Sequence, residues 1–359
     1  MNKKGNKMIA AAAAAFIIGA AGVLILPPSS GELTNRNNTE ICEKTFLDIN
    51  GAKIGMTITG NTDKPVLLFL GGGPAIPQYM LEYYYPTGLD EQFIVCMPSY
   101  RGTVLSYDKD LDKSTVTREQ YIQDALAVTD YLCERFDTDK VYLMGHSFGT
   151  GIGLELSFRY PERYTAYIAM SQITDQPASE KMAYEHMKEI CTDKALLKEL
   201  ESYSDAFGDG FDMRSDRMHT YFAKTRDKAM HSLGVGTTRE MRSVITEIFF
   251  PSLRMTDFTQ TERINIWQGK AYMKETPLDN DSFTFNAEDI TTHLDIPYYM
   301  FAGVYDYTTA YPLQKEYFER IDAPVKEFYS FENSAHSPLY EEPVKAKEIL
   351  ERIKEQNSG

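Results

Sequence analysis

The stretch Val141-Tyr142-Leu143-Met144-Gly145-His146-Ser147-Phe148-Gly149-Thr150-Gly151 decides how the rest of this chain is read. An apolar run rich in strand formers, Val141 to Met144, stops at Gly145, and the helical spacing of Leu154, Leu156, Phe158 and Tyr160 follows at once. Between them stands Gly145-x-Ser147-x-Gly149. A strand that turns sharply into a helix at G-x-S-x-G puts its serine in a strained turn, with the hydroxyl exposed at the strand end. Glycines flank that serine because a Cβ there would collide with neighbouring backbone. The N-terminus of the following helix offers backbone N–H groups and a positive dipole end to a developing oxyanion. Ser147 is therefore the candidate nucleophile. His146 should point away from its hydroxyl and is expected to pack or to hydrogen-bond.

Working outward, Thr45 to Ile49 and Lys53 to Thr59 read as a hairpin around Asn50-Gly51. Val66 to Leu70 and Phe93 to Met97 are continuous apolar runs suited to central parallel strands. Helical spacing covers Thr117 to Phe136, and Tyr164 to Met170 is the strand after the elbow helix. From about Gln172 to Asp295 strand runs vanish, and amphipathic helices are expected at Ala183 to Tyr203, Met218 to Leu233 and Arg239 to Phe250. Strands resume at Tyr298 to Ala302 and Val325 to Ser330, with helices at Leu313 to Ile321 and Val344 to Lys354. The alternation predicts a mostly parallel sheet with right-handed crossovers. The core is expected to comprise 41–171 and 296–359, with 172–295 a helical insertion.

A serine hydroxyl needs a base within hydrogen-bond reach, and the base needs an orienting carboxylate. Asp306 follows the strand at Tyr298 to Ala302, and His336 follows the one at Val325 to Ser330. In parallel sheets the carboxyl ends of strands meet on one edge, which would gather Ser147, Asp306 and His336. Of the other histidines, His186, His219, His231 and His293 fall in the insertion. Asp306 could instead cap the helix near Tyr311, and Glu332 is the nearest rival carboxylate. An oxyanion hole requires two converging N–H groups. Phe148 should supply one, and the glycine loop Gly71-Gly72-Gly73-Pro74 the other, with Gly73 preferred to Gly72. That loop lacks the lysine and hydroxyl residue of a phosphate cradle.

These residues resemble the α/β-hydrolase superfamily, and within it the proline iminopeptidase-like serine hydrolases. The resemblance rests on Gly71-Gly72-Gly73-Pro74-Ala75, on Ser99-Tyr100-Arg101-Gly102-Thr103-Val104-Leu105-Ser106, on the elbow, and on the chain order Ser147, Asp306, His336. It covers about Thr45 to Ile353. It implies an α/β-hydrolase fold, with a mostly parallel central sheet flanked by helices and an inserted helical cap. It also implies acyl transfer by a Ser-His-Asp triad, without metal or organic cofactor. The implied substrate is a short peptide with a free N-terminus. A carboxylesterase is the alternative, and a non-catalytic binding domain is an alternative of another class. The sequence departs from the family's pattern at Gly71, Ala75, Ser99, Val104 and in the elbow's Gly-His-Ser-Phe-Gly. Family aminopeptidases hold the substrate ammonium with cap acids, for which Glu185, Glu189, Glu240 and Glu247 are candidates.

The net charge of −15 argues against nucleic-acid partners and against adhesion to an anionic membrane surface. Lys3, Lys4 and Lys7 precede an uncharged apolar run from Met8 to Leu26, ended by Pro27-Pro28. That run is long enough to span a bilayer, and the basic residues before it keep the N-terminus in the cytoplasm. A single anchor within 1–40 is expected, with the catalytic domain outside the cytoplasm, or else secretion after cleavage. The Ser-, Asn- and Thr-rich linker from Pro27 to about Glu40 is expected to be flexible. Cys42, Cys96, Cys133 and Cys191 have no metal-ligand spacing, and no disulfide pair can be read from them. Cys96 and Cys133 are expected as small buried hydrophobes.

Overall fold

The computed structural model describes residues 26–357. Eight strands among them form one sheet in the order β1-β2-β4-β3-β5-β6-β7-β8. They are β1 (Ile41–Ile49), β2 (Ala52–Gly60), β3 (Val66–Leu70), β4 (Ile94–Pro98), β5 (Val141–His146), β6 (Tyr164–Met170), β7 (Tyr298–Gly303) and β8 (Lys326–Phe331). β1 and β2 pair antiparallel about Asn50 and Gly51, both at positive φ, and β2 runs antiparallel to β4. Every other neighbouring pair is parallel. The carboxyl ends of β3 to β8 therefore share one edge.

β3 explains the layering. Its side chains alternate across the sheet, so Val66, Leu68 and Leu70 enter one core while Leu67 and Phe69 enter the other. Helices cover both faces because a strand apolar on both sides must be buried on both. They are, in chain order, α1 (Gln78–Tyr84), α2 (Arg118–Phe136) and α3 (Phe148–Arg159) before the insertion. Within it come α4 (Gln176–Ile190), α5 (Lys194–Glu201), α6 (Asp216–Tyr221), α7 (Asp227–Leu233), α8 (Phe250–Arg254), α9 (Gln260–Met273) and α10 (Pro277–Ser282). The chain ends with α11 (Tyr311–Arg320), α12 (Pro338–Glu341) and α13 (Pro343–Gln356). α2 and α3 line the first core, and α1, α12 and α13 the second.

Between β6 and β7 the described chain forms no strand, and its helices build a third apolar cluster around Tyr184, Leu200, Met218, Tyr221 and Met230. The element boundaries there differ from those expected. The helix expected over Ala183 to Tyr203 breaks at Cys191, because Asp193 caps a new helix by accepting from the Ala195 and Leu196 N–H groups. The helix expected over Arg239 to Phe250 starts only near Ile245 and runs on to Arg254 through a π-turn. Glu247 accepts from the Arg242 and Ser243 N–H groups and holds that start open.

The linker expected to be flexible is strapped down from Pro27 onward. Arg263 Nη2 donates to the Pro27 carbonyl at 2.7 Å, and Ser29 Oγ donates to Phe258 O at 2.8 Å. Asp257 accepts from the Thr34 N–H and hydroxyl at 2.9 and 2.6 Å. Polar side chains that read as linker composition are thus spent on specific bonds to the insertion. Met8 to Ile25 of the expected anchor lie outside the described residues. Among the described residues no helix is long and apolar enough to cross a membrane. All four cysteines are free, with Cys96, Cys133 and Cys191 buried.

The loop after β4 carries a buried ion pair. Arg101 donates to both Asp124 oxygens at 2.8 Å, with the two side chains 2% and 8% exposed. Asp124 also accepts from Asn50 and Gln120 at 3.0 Å. The pair anchors a loop whose Tyr100 hydroxyl donates to the Gly71 carbonyl. Removing one partner leaves a buried charge uncompensated. Asp124→Ala should therefore lower the unfolding free energy by about 3–5 kcal/mol, read from urea denaturation. Arg101→Met with Asp124→Leu should recover much of that loss, and a single variant with an unchanged midpoint would refute the anchoring role.

Candidate active site

Ser147 sits between β5 and α3 at φ 52° and ψ −120°. A non-glycine residue in that region costs of order 1–3 kcal/mol, so its surroundings must enforce it. Its N–H donates to Met170 O of β6 at 3.0 Å, and its carbonyl accepts from the Thr150 N–H at 2.8 Å. The flanking glycines permit the turn. A Cβ on Gly145 would come within 2.7 Å of the Gly149 carbonyl oxygen, and one on Gly149 within 2.2 Å of that of Leu70. Strand, turn and helix pack too closely there for any side chain.

The other two expected residues meet directly. His336 Nδ1 lies 2.9 Å from Asp306 Oδ2, with His336 6% and Asp306 0% exposed. Asp306 accepts from the Thr308 and Thr309 N–H groups at 2.9 and 3.0 Å, from the Thr309 hydroxyl at 2.8 Å and from Gln314 at 3.2 Å. Burial alone would raise its pKa, but the His336 charge and these bonds outweigh it and hold Asp306 at about 2. It stays ionised across the working range, and the bond fixes the Nδ1–H tautomer of His336. Glu332, the rival carboxylate, is exposed instead.

Ser147 is joined to this pair through its neighbour. The His146 ring donates from Nε2 to the His336 carbonyl at 2.8 Å, and Ser171 Oγ donates to the same oxygen at 3.0 Å. Burial, with the nearby His336, pushes His146 down to about 3, so its ring is neutral and structural. The Ser147 hydroxyl makes no hydrogen bond among the described residues. No bond to His336 closes the set in this resting arrangement.

The glycine loop lies alongside. The Gly72 N–H donates to Gln78 Oε1 at 3.2 Å, and Gln78 Nε2 donates to the Tyr340 hydroxyl at 2.9 Å. Among the described residues the N–H groups of Gly73 and Phe148 have no partner. A Cβ on Gly72 would lie 3.0 Å from Ser147 Cβ, so the loop stands directly beside the serine. A groove of about 240 Å³ opens next to it, lined by Gly73, Ile76, Lys270, Met273, Leu278 and Asp279. Burial raises the Asp279 pKa, against the pull of His219 and Lys274. A larger groove, about 680 Å³, lies by Val66, Ile94 and Tyr142, at the amino ends of the strands and away from Ser147.

Several side chains here carry no sequence signature. Thr309 and Gln314 serve Asp306, and Gln78 serves the glycine loop. Glu341 accepts from the Ala335 and Ser337 N–H groups, on either side of His336, and from the Arg239 N–H of the insertion. Of the cap acids, Glu185 pairs with Lys188, and Glu247 is held by backbone. Glu189 and Glu240 are exposed. Neither disposition singles out an ammonium site, whereas Asp279 faces the groove beside Gly73. Among the described residues no group of His, Cys, Asp and Glu could hold a metal ion.

The family described as alpha/beta hydrolase fold matches residues 65–343. The chain is 29% identical over 298 residues to a probable aminopeptidase, YbaC, of Bacillus subtilis (strain 168), covering 83% of this chain and 91% of that protein. It superposes on a proline iminopeptidase-related protein from Thermus thermophilus with a TM-score of 0.60 at 18% identity, covering 87% and 97% of the two chains. For a proline iminopeptidase from Mycobacterium smegmatis the TM-score is 0.62 at 13% identity, covering 88% and 98%. The two structures, at such low identity, speak for the fold alone.

Burial pushes Glu341 up to about 7, the three N–H bonds pulling against it and the Asp306 charge adding to the rise. An acid raised on folding contributes stability that is full below the ordinary carboxylate range and is lost as pH climbs through its folded value. The part of the urea midpoint that Glu341 contributes should therefore decline between about pH 4.5 and 7, and Glu341→Gln should remove that decline, read as a difference between variant and parent across pH. Glu82, which burial also raises to about 7, and the buried Glu180 add slopes of the same sign, while His146, held down to about 3, opposes them below about pH 6.5. An unaltered slope in the variant would contradict this.

Proposed function

This chain belongs to the alpha/beta hydrolase fold family and is a hydrolase, and from that premise we propose that Ser147, His336 and Asp306 are its catalytic triad. The observation that carries the reading is the buried 2.9 Å bond between His336 Nδ1 and an ionised Asp306, with the His336 carbonyl bonded by His146, the neighbour of a serine held at positive φ. His336 Nε2 takes the Ser147 proton as the oxygen attacks an amide or ester carbonyl. Asp306 orients the ring and stabilises the imidazolium. The Gly73 and Phe148 N–H groups hold the oxyanion, each worth about 2.7–4 kcal/mol by analogy with single-donor losses. His336 then protonates the departing amine or alcohol. Water, deprotonated by the same ring, releases the acid and restores the Ser147 hydroxyl. The chemistry calls for no cofactor.

Ser147→Ala should cut turnover by roughly three to six orders of magnitude and abolish labelling by a fluorophosphonate. A variant that kept near-normal turnover would remove Ser147 from the mechanism.

For the substrate we infer a short peptide with a free N-terminus. The aminopeptidase relative supports this, as does the position of Asp279 in the groove beside Gly73, where a carboxylate could hold an ammonium group. The apolar floor of that groove, Ile76, Met273 and Leu278, favours the second reading, a carboxylesterase acting on small acyl esters. One comparison separates them. Under the peptidase reading, Asp279→Asn raises KM roughly 10- to 100-fold on aminoacyl chromogens and leaves simple acyl esters unchanged, a charge-assisted bond being worth about 1.5–3 kcal/mol. Equal effects on both substrate classes, or activity on esters alone, would favour the esterase.

We further infer that Met8 to Leu26 is a single membrane anchor, with Lys3, Lys4 and Lys7 on the cytoplasmic side and the catalytic domain on the other. The uncharged length of the run supports this, and secretion after cleavage is the alternative. The mass of the mature protein decides between them.

A further inference from the structure

Eleven large hydrophobic side chains are exposed among the described residues, and five of them, Tyr84, Tyr85, Ile245, Phe250 and Ile264, lie on three elements that touch one another. Tyr84 and Tyr85 end α1, Ile245 and Phe250 flank the π-turn before α8, and Ile264 lies on the outer side of α9. Contacts tie these elements together. The Tyr84 hydroxyl donates to the Pro251 carbonyl at 2.8 Å. Phe249 packs edge-on against both Phe250 and Trp267, with ring centroids 5.3 and 4.8 Å apart. The apolar surface is thus one patch built from three elements.

The chain enters the domain at this patch. Arg263, the neighbour of Ile264, binds the Pro27 carbonyl, and Ser29 is bound at Phe258. The uncharged run Met8 to Leu26 therefore joins the folded domain beside Ile264 of this face. From this juxtaposition we propose that the face formed by Tyr84, Tyr85, Ile245, Phe250 and Ile264 rests on the lipid bilayer, seating the hydrolase against the membrane that holds its anchor. This rests on the anchor reading given above.

The residue types suit that occupant. Tyrosine settles at the boundary of headgroup and acyl chain, and phenylalanine and other large apolar side chains insert below it. Arg36 lies over the Tyr83 ring at 4.2 Å, at the rim where phosphates would stand. The chain's net charge of −15 gives no general attraction to anionic lipid. Adhesion must come from apolar insertion, raised in effect by the tether, which turns a weak contact into an intramolecular one. Zwitterionic lipid should therefore suffice.

The chain supplies its own probe. Trp267, against Phe249 behind the patch, is its only tryptophan. The full chain is reconstituted in phosphatidylcholine vesicles containing lipid spin-labelled near the headgroup end of the acyl chain. Trp267 emission should fall by about a third or more, since an interfacial face sits roughly 5–10 Å into this boundary. Phe250→Asp with Ile264→Asp should abolish most of that quenching, and Ile245→Asp alone should reduce it. In all variants the rate of fluorophosphonate labelling should stay unchanged, which certifies an intact domain. Resistance of the protein to alkaline carbonate extraction reports the anchor separately. Carbonate-resistant protein with unquenched Trp267 overturns the proposal and leaves the anchor standing. Carbonate-extracted protein that is still quenched sinks the anchor reading and keeps the face. Quenching that the double variant does not alter overturns the proposal. So does a vesicle-bound dimer that crosslinks through the patch and shields Trp267, which would assign the face to a second copy.

Discussion

The backbone of Ser147 is the constraint on which the rest of the structure depends. A left-handed serine between a buried strand and a buried helix is costly, and it survives only because its neighbours leave no other path. Met170 fixes its N–H from one side, Thr150 binds its carbonyl from the other, and Gly149 lets α3 press against Leu70. These contacts come from β3, β5 and β6. A sheet in another order would not bring Leu70 and Met170 to opposite sides of one turn. Strand order and site geometry are therefore a single requirement.

A second requirement follows from burial. An ionised carboxylate with 0% exposure must have its oxygens satisfied by donors. Around Asp306 the turn into α11 supplies two backbone N–H groups, a hydroxyl and an amide, and His336 completes the set. The ring is then oriented before any substrate arrives. The same logic extends to Glu341, whose carboxylate spans both sides of the His336 loop and reaches the insertion. The His336 loop, held by a carboxylate raised to about 7, is coupled to pH through that carboxylate.

Much of this was legible in the sequence, for identifiable reasons. Continuous apolar runs such as Val66 to Leu70 can only be central strands, and Gly145-x-Ser147-x-Gly149 between a strand and a helix has few other uses. The pairing of Asp306 with His336 follows from parallel strands sharing an edge. What stayed hidden depends on tertiary partners. Nothing local to Gln78 says that its amide will occupy the Gly72 N–H and leave Gly73 free. Asp279 reads as one acid among many until α10 is set beside the glycine loop. Polar linker composition was misleading because Ser29 and Thr34 find partners more than two hundred residues away.

Those linker contacts bear on how the molecule is organised. The bonds of Pro27, Ser29 and Thr34 all land on Thr256 to Arg263, within the helical insertion rather than the sheet. The insertion also touches the loops that carry His336 and Asp306 through backbone: the His336 N–H donates to Gly236 O, and the Tyr307 N–H to Val235 O, both at 3.3 Å. These bonds are long, whereas the strap bonds at Asp257 run from 2.6 to 2.9 Å. One of them comes from the Tyr79 hydroxyl of α1, so the segment that holds the linker is also fastened to the core. The N-terminal chain is thus tied to α1 and to α9, and α9 lines the groove beside Gly73. On the side of Gly236 and Val235 the Arg239 N–H also donates to Glu341 at 2.7 Å, and His186 stacks on Tyr307 with ring centroids 3.8 Å apart, so the insertion is fastened to the core at both flanks. A serine held at positive φ needs rigid surroundings, and the insertion is braced against the core by the strap at Asp257 on one flank and by Glu341 on the other.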